Sequence, residues 1–235
     1  MKSLSIIILS FNEEKNIRSI LNNVCSLESI DNVEIIVSDG NSTDGTRECI
    51  DKSIKVLVCE PNRSKQMAKA VEAAQGEVLW FLHADMKLPS NALLQIKNAI
   101  NKGYDGGGFA NNFDKYNDKI KRLGTIMNLR IFDKKEQSDK GVFYGDNAIF
   151  ITKKQLHEIG GIPQQEIMED YELSVRLKQN GAKMFKIKNS PIIVSSRRHI
   201  EEGFIRTRLR WILIRKLYKW GLDPFLLKKL YSDER

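Results

Sequence analysis

The chain has 235 residues, of which 41% are hydrophobic and 29% charged. These values exclude disordered, collagen-like and repeat proteins, and predict one α/β-sized unit with an appendage that buries about 70% of its unfolded surface. The formal net charge is +8, carried mostly by residues 197–235, with 11 Lys/Arg against 5 Asp/Glu, while residues 1–196 hold 27 against 25. A basic tail on a nearly neutral body points to an anionic partner at the tail. The absence of any RRM, KH or zinc-finger pattern counts against nucleic acid. Cys25, Cys49 and Cys59 form no CxxC pair and no even framework. With no signal peptide and no run of about 18 uncharged apolar residues, a reduced, cytoplasmic protein is expected.

Strands are predicted at 4–10, 33–38, 54–59 and 78–83, each apolar or β-branched, as strands buried on both faces are. Between them, 13–25, 43–51 and 64–75 have helical spacing, and Gly76 stops the last. This alternation predicts βαβ units and a mainly parallel sheet. Beyond residue 88 the rhythm changes. A helix at 91–102 leads to Gly103 and Gly106-Gly107-Gly108, a strand with close backbone approaches. A helix is expected at 115–132, a strand at 141–151, a helix at 169–180 and short strands at 183–188 and 192–195. The chain closes with a basic helix at 203–220 and a short one opened by Pro224. The expected division is 1–200 for the α/β domain and 201–235 for a basic amphipathic helical tail.

In an open α/β sheet, ligands bind beyond the carboxyl ends of the strands. Those ends carry Asn12-Glu13-Glu14, then Asp39-Gly40-Asn41-Ser42-Thr43-Asp44-Gly45-Thr46, then Arg63, then His83-Ala84-Asp85. Polar groups converging from four segments serve a site, and core packing does not require them. GxGxxG and GxxxxGK[ST] are both absent, which argues against a nicotinamide dehydrogenase and a P-loop NTPase. Asp39 and Asp85 instead suit a base or ribose contact and a divalent metal, Mg²⁺ or Mn²⁺, shared with a diphosphate.

The run Ile6-Ile7-Ile8-Leu9-Ser10-Phe11-Asn12-Glu13-Glu14, with the Asp39 to Thr46 string, resembles the opening of family 2 glycosyltransferases of the GT-A fold. His83-Ala84-Asp85 and Glu169-Asp170 fit the same family, over about residues 3–200. One subgroup also shares Arg63 with Gln66, a Gly145-Asp146 pair and Arg197-Arg198. The resemblance implies an open, mostly parallel sheet flanked by helices, with a Rossmann-like nucleotide-binding half. It places donor contacts at Asn12, Glu13, Asp39, Arg63, Arg197 and Arg198, and metal ligands at Asp85 and His199. His83 stands where the first aspartate of the family's metal motif would be. Asp170 matches the general base of inverting transfer, and Gly145, Asp146 and Glu169 fall to the acceptor or sugar. The implied activity is metal-dependent, inverting hexosyl transfer from a UDP-type nucleotide-sugar donor. The implied acceptor is a hydroxyl compound, lipid-linked or of the cell envelope. The alternative is a nucleotide-sugar-binding protein of the same fold without turnover.

Each signal also has a plainer reading. Turn chemistry accounts for Asp39 and Asp44-Gly45, and the helix dipole for Glu169-Asp170. His199 fits an exposed position at the base of the basic tail, and Gly106 to Gly108 fit a kink as well as a sugar contact. The tail fits a helix packed on the domain as well as an interfacial helix on anionic lipid, peripheral on the inner face of the membrane.

Overall fold

The computed structural model describes residues 2–114 and 143–231. The helix expected at 115–132 and the first residues of the strand expected at 141–151 lie outside them. Seven strands of the described residues form one sheet: β1 (Leu4–Ser10), β2 (Glu34–Asp39), β3 (Lys55–Val58), β4 (Val78–His83), β5 (Gly106–Phe113), β6 (Phe150–Thr152) and β7 (Met184–Val194). Their order is β3-β2-β1-β4-β6-β5-β7, with β6 antiparallel to both neighbours and the other pairings parallel. The helices are α1 (Ile17–Cys25), α2 (Arg63–Ala73), α3 (Ala92–Asn101), α4 (Lys153–Glu158), α5 (Glu169–Gln179), α6 (Arg197–Glu201), α7 (Phe204–Lys219) and α8 (Pro224–Lys229).

β1 and β4 bury every residue because helices cover both faces of the sheet. Alternate side chains of a strand point to opposite faces. Ile6 and Ile8 accordingly join Ile20 of α1 and Leu93 of α3, while Ile7 and Leu9 join Met67, Leu156 and Leu173 of α2, α4 and α5. Trp80 is fully buried, stacks on Phe109 at 5.7 Å and donates its indole N–H to the Ala148 carbonyl at 3.1 Å. Both apolar layers thus hold the carboxyl ends of β1, β2 and β4 at one edge.

Three expectations are corrected. The helix at 43–51 is only a 3-10 turn at Arg47–Cys49, because Ser42, Asp44 and Thr46 spend their side chains on loop hydrogen bonds. The described part of 141–151 holds a 3-10 turn at Gly145–Asn147 and a left-handed Ala148 (φ 45°), leaving three residues for β6. The two short strands after 183 are one. Its pairing jumps from Phe109–Ile187 to Asn111–Ile192, a bulge that takes up Pro191. Gly107 answers to packing, since a Cβ there would lie 2.1 Å from the Phe185 carbonyl and 2.6 Å from the Phe150 ring. One face of the C-terminal helices packs on the domain: Ile214 and Leu227 are fully buried against Ile167, Met168 and Tyr171.

Candidate active site

Two loops at the sheet edge are sewn together by side chains. Ser42 Oγ accepts from the Asn12 N–H (2.9 Å), Asn12 Oδ1 from the Thr43 N–H (3.0 Å), and Thr46 Oγ1 from the Glu13 N–H (2.8 Å). Asn12 and Asn41 hold left-handed backbone, with φ of 53° and 62°, which asparagine tolerates better than most residues. Asp39 has no exposed surface. Its Oδ1 accepts from Ser10 Oγ (2.9 Å) and Ser42 Oγ (2.6 Å), and its Oδ2 from the Ser42 N–H (2.8 Å). Glu13 is buried as well. Asn12, Glu13 and Asp39, expected as donor contacts, brace the two loops at the strand ends. Gln66 does similar work, donating Nε2 to the carbonyls of Ser10 (2.7 Å) and Ser38 (2.8 Å).

Beside these loops lies a pocket. Phe11, Arg63, Gln66 and His83 wall it from the sheet edge, and Glu169 and Asp170 from the first turn of α5. Trp211, Lys228 and Tyr231 close it from the C-terminal helices. A wider hollow between α1 and the 3-10 turn, lined by Arg18, Asn22 and Glu48, holds none of the expected site residues. Arg63 opens α2, whose N-cap Asn62 accepts from the Lys65 N–H at 3.0 Å.

Asp170 is half-buried, and Met168 before it is left-handed (φ 69°), a conformation costing on the order of 1 kcal/mol or more outside glycine. The Asp170 carboxylate accepts from the Gly145 N–H through Oδ2 and from the Tyr171 N–H through Oδ1, both at 2.6 Å. A Cβ at Gly145 would stand 2.6 Å from His83 Nε2 and 3.4 Å from Asp170 Oδ2, so these three residues meet without spare room. Next to them Tyr144 Oη accepts from Arg215 Nη1 (2.8 Å), with the guanidinium 5.6 Å from the ring centroid. Burial pushes the Tyr144 phenol up; Arg215 partly offsets this and the Asp170 carboxylate adds to it. The phenol therefore stays protonated at neutral pH.

The remaining expected residues scatter. Asp146 is exposed, and its carbonyl accepts from Asn111 Nδ2 at 3.3 Å. Arg197 is exposed, and the Arg198 side chain lies outside the description. His199 meets the Phe113 ring edge-on at 5.0 Å. Asp146, Arg197 and His199 do not line the pocket with Asp170. Tyr144, Trp211, Arg215, Lys228 and Tyr231 were not read as site residues. Only the four-residue spacing of Trp211 and Arg215 on a helix hinted that one face carries both.

Among the described residues no three His, Cys, Asp or Glu side chains gather into a metal cage. Asp85, half-buried just past β4, has no hydrogen-bond or ion-pair partner among them. A lone open carboxylate fits a divalent ion that draws its other ligands from substrate phosphates and water. It does not fit a cage made by protein alone. A bridge between Lys87 and Ile193 brings the segment after Asp85 beside the end of β7, which leads into α6 and His199.

The strand order, the antiparallel β6 and a cleft at the strand carboxyl ends are those of the GT-A fold. Solved structures share this fold at identities that speak to fold alone. Staphylococcus aureus TarS 1-349 in complex with UDP matches with a TM-score of 0.67 and 17% identity, over 82% of this chain and 60% of that one. Mycobacterium tuberculosis glucosyl-3-phosphoglycerate synthase with Mn²⁺ and UDP matches with a TM-score of 0.65 and 14% identity, over 94% and 80%. The chain belongs to Glycosyl transferase family 2, whose family model matches residues 5–158. It is 34% identical over 119 residues to the GalNAc(5)-diNAcBac-PP-undecaprenol beta-1,3-glucosyltransferase of Campylobacter jejuni, covering 44% of this chain and 36% of the relative. It is 26% identical over 192 residues to the Beta-monoglucosyldiacylglycerol synthase of Nostoc sp., covering 74% and 41%. The chain thus spans about two fifths of the length of these curated relatives.

Proposed function

We propose that the protein is a metal-dependent, inverting glycosyltransferase that moves a hexosyl group from a UDP-type donor to a hydroxyl acceptor. The observation that carries this reading is the single pocket holding Arg63, His83 and Asp170, with the open carboxylate of Asp85 at the same strand end as His83. In this reading the acceptor oxygen attacks the anomeric carbon, the bond to the diphosphate oxygen breaks, and its electron pair leaves with the diphosphate. Asp170 takes the hydroxyl proton; its hydrogen bonds from the Gly145 and Tyr171 N–H groups fix where that proton goes. Arg63 balances the negative charge that grows on the leaving group. Mn²⁺ or Mg²⁺, held by Asp85 and the diphosphate, with His199 as the further ligand, would supply the rest of that charge. Arg197 and Asp146 stand outside the pocket, and they and Arg198 are left to the outer diphosphate and the acceptor. The lipid-linked and lipid substrates in the two relatives' names favour an acceptor borne by lipid or cell envelope.

Calorimetric titration with UDP tests the donor side. Binding should strengthen with Mn²⁺ in the native chain and lose that dependence in Asp85→Ala. An unchanged Mn²⁺-dependent affinity in the variant would remove Asp85 from the site.

A further inference from the structure

Of the ten large apolar side chains found exposed among the described residues, eight lie between Ile200 and Leu230. On α7, Ile205 (74% exposed), Leu209 (61%) and Leu213 (51%) recur every four residues, and Trp220 (79%) follows seven residues later. That spacing puts them on one stripe of the helix. Phe225 and Leu230 extend the apolar surface onto α8. The same two helices bury Ile214 and Leu227 against the domain, so they have two apolar faces and only one is covered by described residues. Exposed Arg206, Lys216 and Lys219 border the stripe, and Lys229 Nζ sits 5.0 Å from the Phe225 ring centroid.

We propose that α7 and α8 seat this protein on an anionic lipid surface, with the Ile205–Trp220 stripe entering the headgroup boundary and the bordering cations meeting lipid charge. No helix of the described residues is long and apolar enough to cross a membrane, so the helices lie along the surface. Charge selects this occupant. Residues 197–235 carry 11 cationic against 5 anionic side chains, which attracts anionic lipid and opposes a second copy presenting the same cations. Trp211, Lys228 and Tyr231 of the same segment wall the pocket, so the seat lies next to the site. The transferase reading says what such a seat is for; the seat itself stands on exposure and charge.

Sedimentation of the full chain with phosphatidylcholine vesicles, with and without phosphatidylglycerol, tests it. The native chain should bind only the anionic vesicles, and less as salt rises. A surface cation near such a membrane is worth about 1 kcal/mol, so Arg206→Glu with Lys219→Glu should lower partitioning at least about thirtyfold. Leu209→Glu with Leu213→Glu should lower it by at least about tenfold, because the stripe can no longer insert. Native thermal midpoints and native UDP affinity in these variants would show that fold and donor site are intact. A native chain that ignores anionic vesicles at low salt overturns the proposal. So does undiminished binding by the Leu209/Leu213 variant, or a dimer in solution that this variant breaks. A native chain that binds anionic vesicles but no UDP supports the seat and removes the transferase reading.

Discussion

Asp170 owes its position to residues far from it in sequence. Gly145 donates its N–H to the carboxylate, and the absence of a side chain there leaves room for the His83 ring. Gly145→Ala puts a methyl group 2.6 Å from His83 Nε2, so either the ring or the Gly145–Asn147 turn must move. Transfer should fall by about tenfold or more through displacement of the base. Stability should drop by only about 1–3 kcal/mol, the usual cost of overpacking. Assaying transfer and thermal midpoint on the same preparation checks this, and a variant with native turnover would uncouple Gly145 from the base. The strand-end position pointed to Asp85, whereas Asp170 and Gly145 came from the resemblance to family 2 glycosyltransferases. At Asp39 the residue pattern leaves two roles open, because a strand-end aspartate serves a ligand or a loop equally well. The hydrogen bonds from Ser10 and Ser42 show its part in holding the loop.

The C-terminal helices are fastened by groups that titrate. Tyr218 Oη donates to Glu172 Oε2 at 2.8 Å, and Lys228 Nζ to Glu166 Oε2 at 2.7 Å. Burial first, and then the Glu172 carboxylate, push the Tyr218 phenol up to about 12 from an ordinary 10.0. A raised folded value means that this contribution is complete below pH 10 and is lost as pH rises through about 12. Lys228 holds the Glu166 carboxyl below its ordinary 4.5, against the effect of burial. That contribution is complete above pH 4.5 and is lost as pH falls through the lower folded value. Trp211 fluorescence should therefore report a docked segment across the neutral range and release at both extremes. Tyr144 and Tyr171, also raised by burial, share the alkaline limb, so Tyr218→Phe should make it shallower and Lys228→Ala should remove the acid one. Identical alkaline limbs in native and Tyr218→Phe would contradict this fastening. None of these contacts was legible in the sequence. Tyr144 and Arg215 are 71 residues apart, and no local pattern predicts such a meeting.

Across the whole molecule, legibility follows how local the cause is. β1 and β4 appear at their predicted bounds because uninterrupted apolar runs suit only a doubly covered strand. Residues 43–51 failed because helical spacing lost to side chains that bond the loop backbone. β7 read as two strands because Pro191 looks like a break, and only pairing with β5 shows that a bulge absorbs it. The sheet delivers four strand ends to one edge, α5 sets Asp170 there, and the C-terminal helices close the far wall. The claim that joins these parts is that the pocket removes a proton from an acceptor hydroxyl during sugar transfer. Asp170→Asn measures it most directly, since the amide keeps the shape and cannot take the proton. Donor affinity should stay within about a factor of two or three, while kcat falls by about 10²–10⁴-fold, the usual worth of a general base. If Asp170 merely caps α5, the same variant loses about 1 kcal/mol of stability and keeps its turnover. A folded Asp170→Asn enzyme that transfers sugar at the native rate would contradict the account.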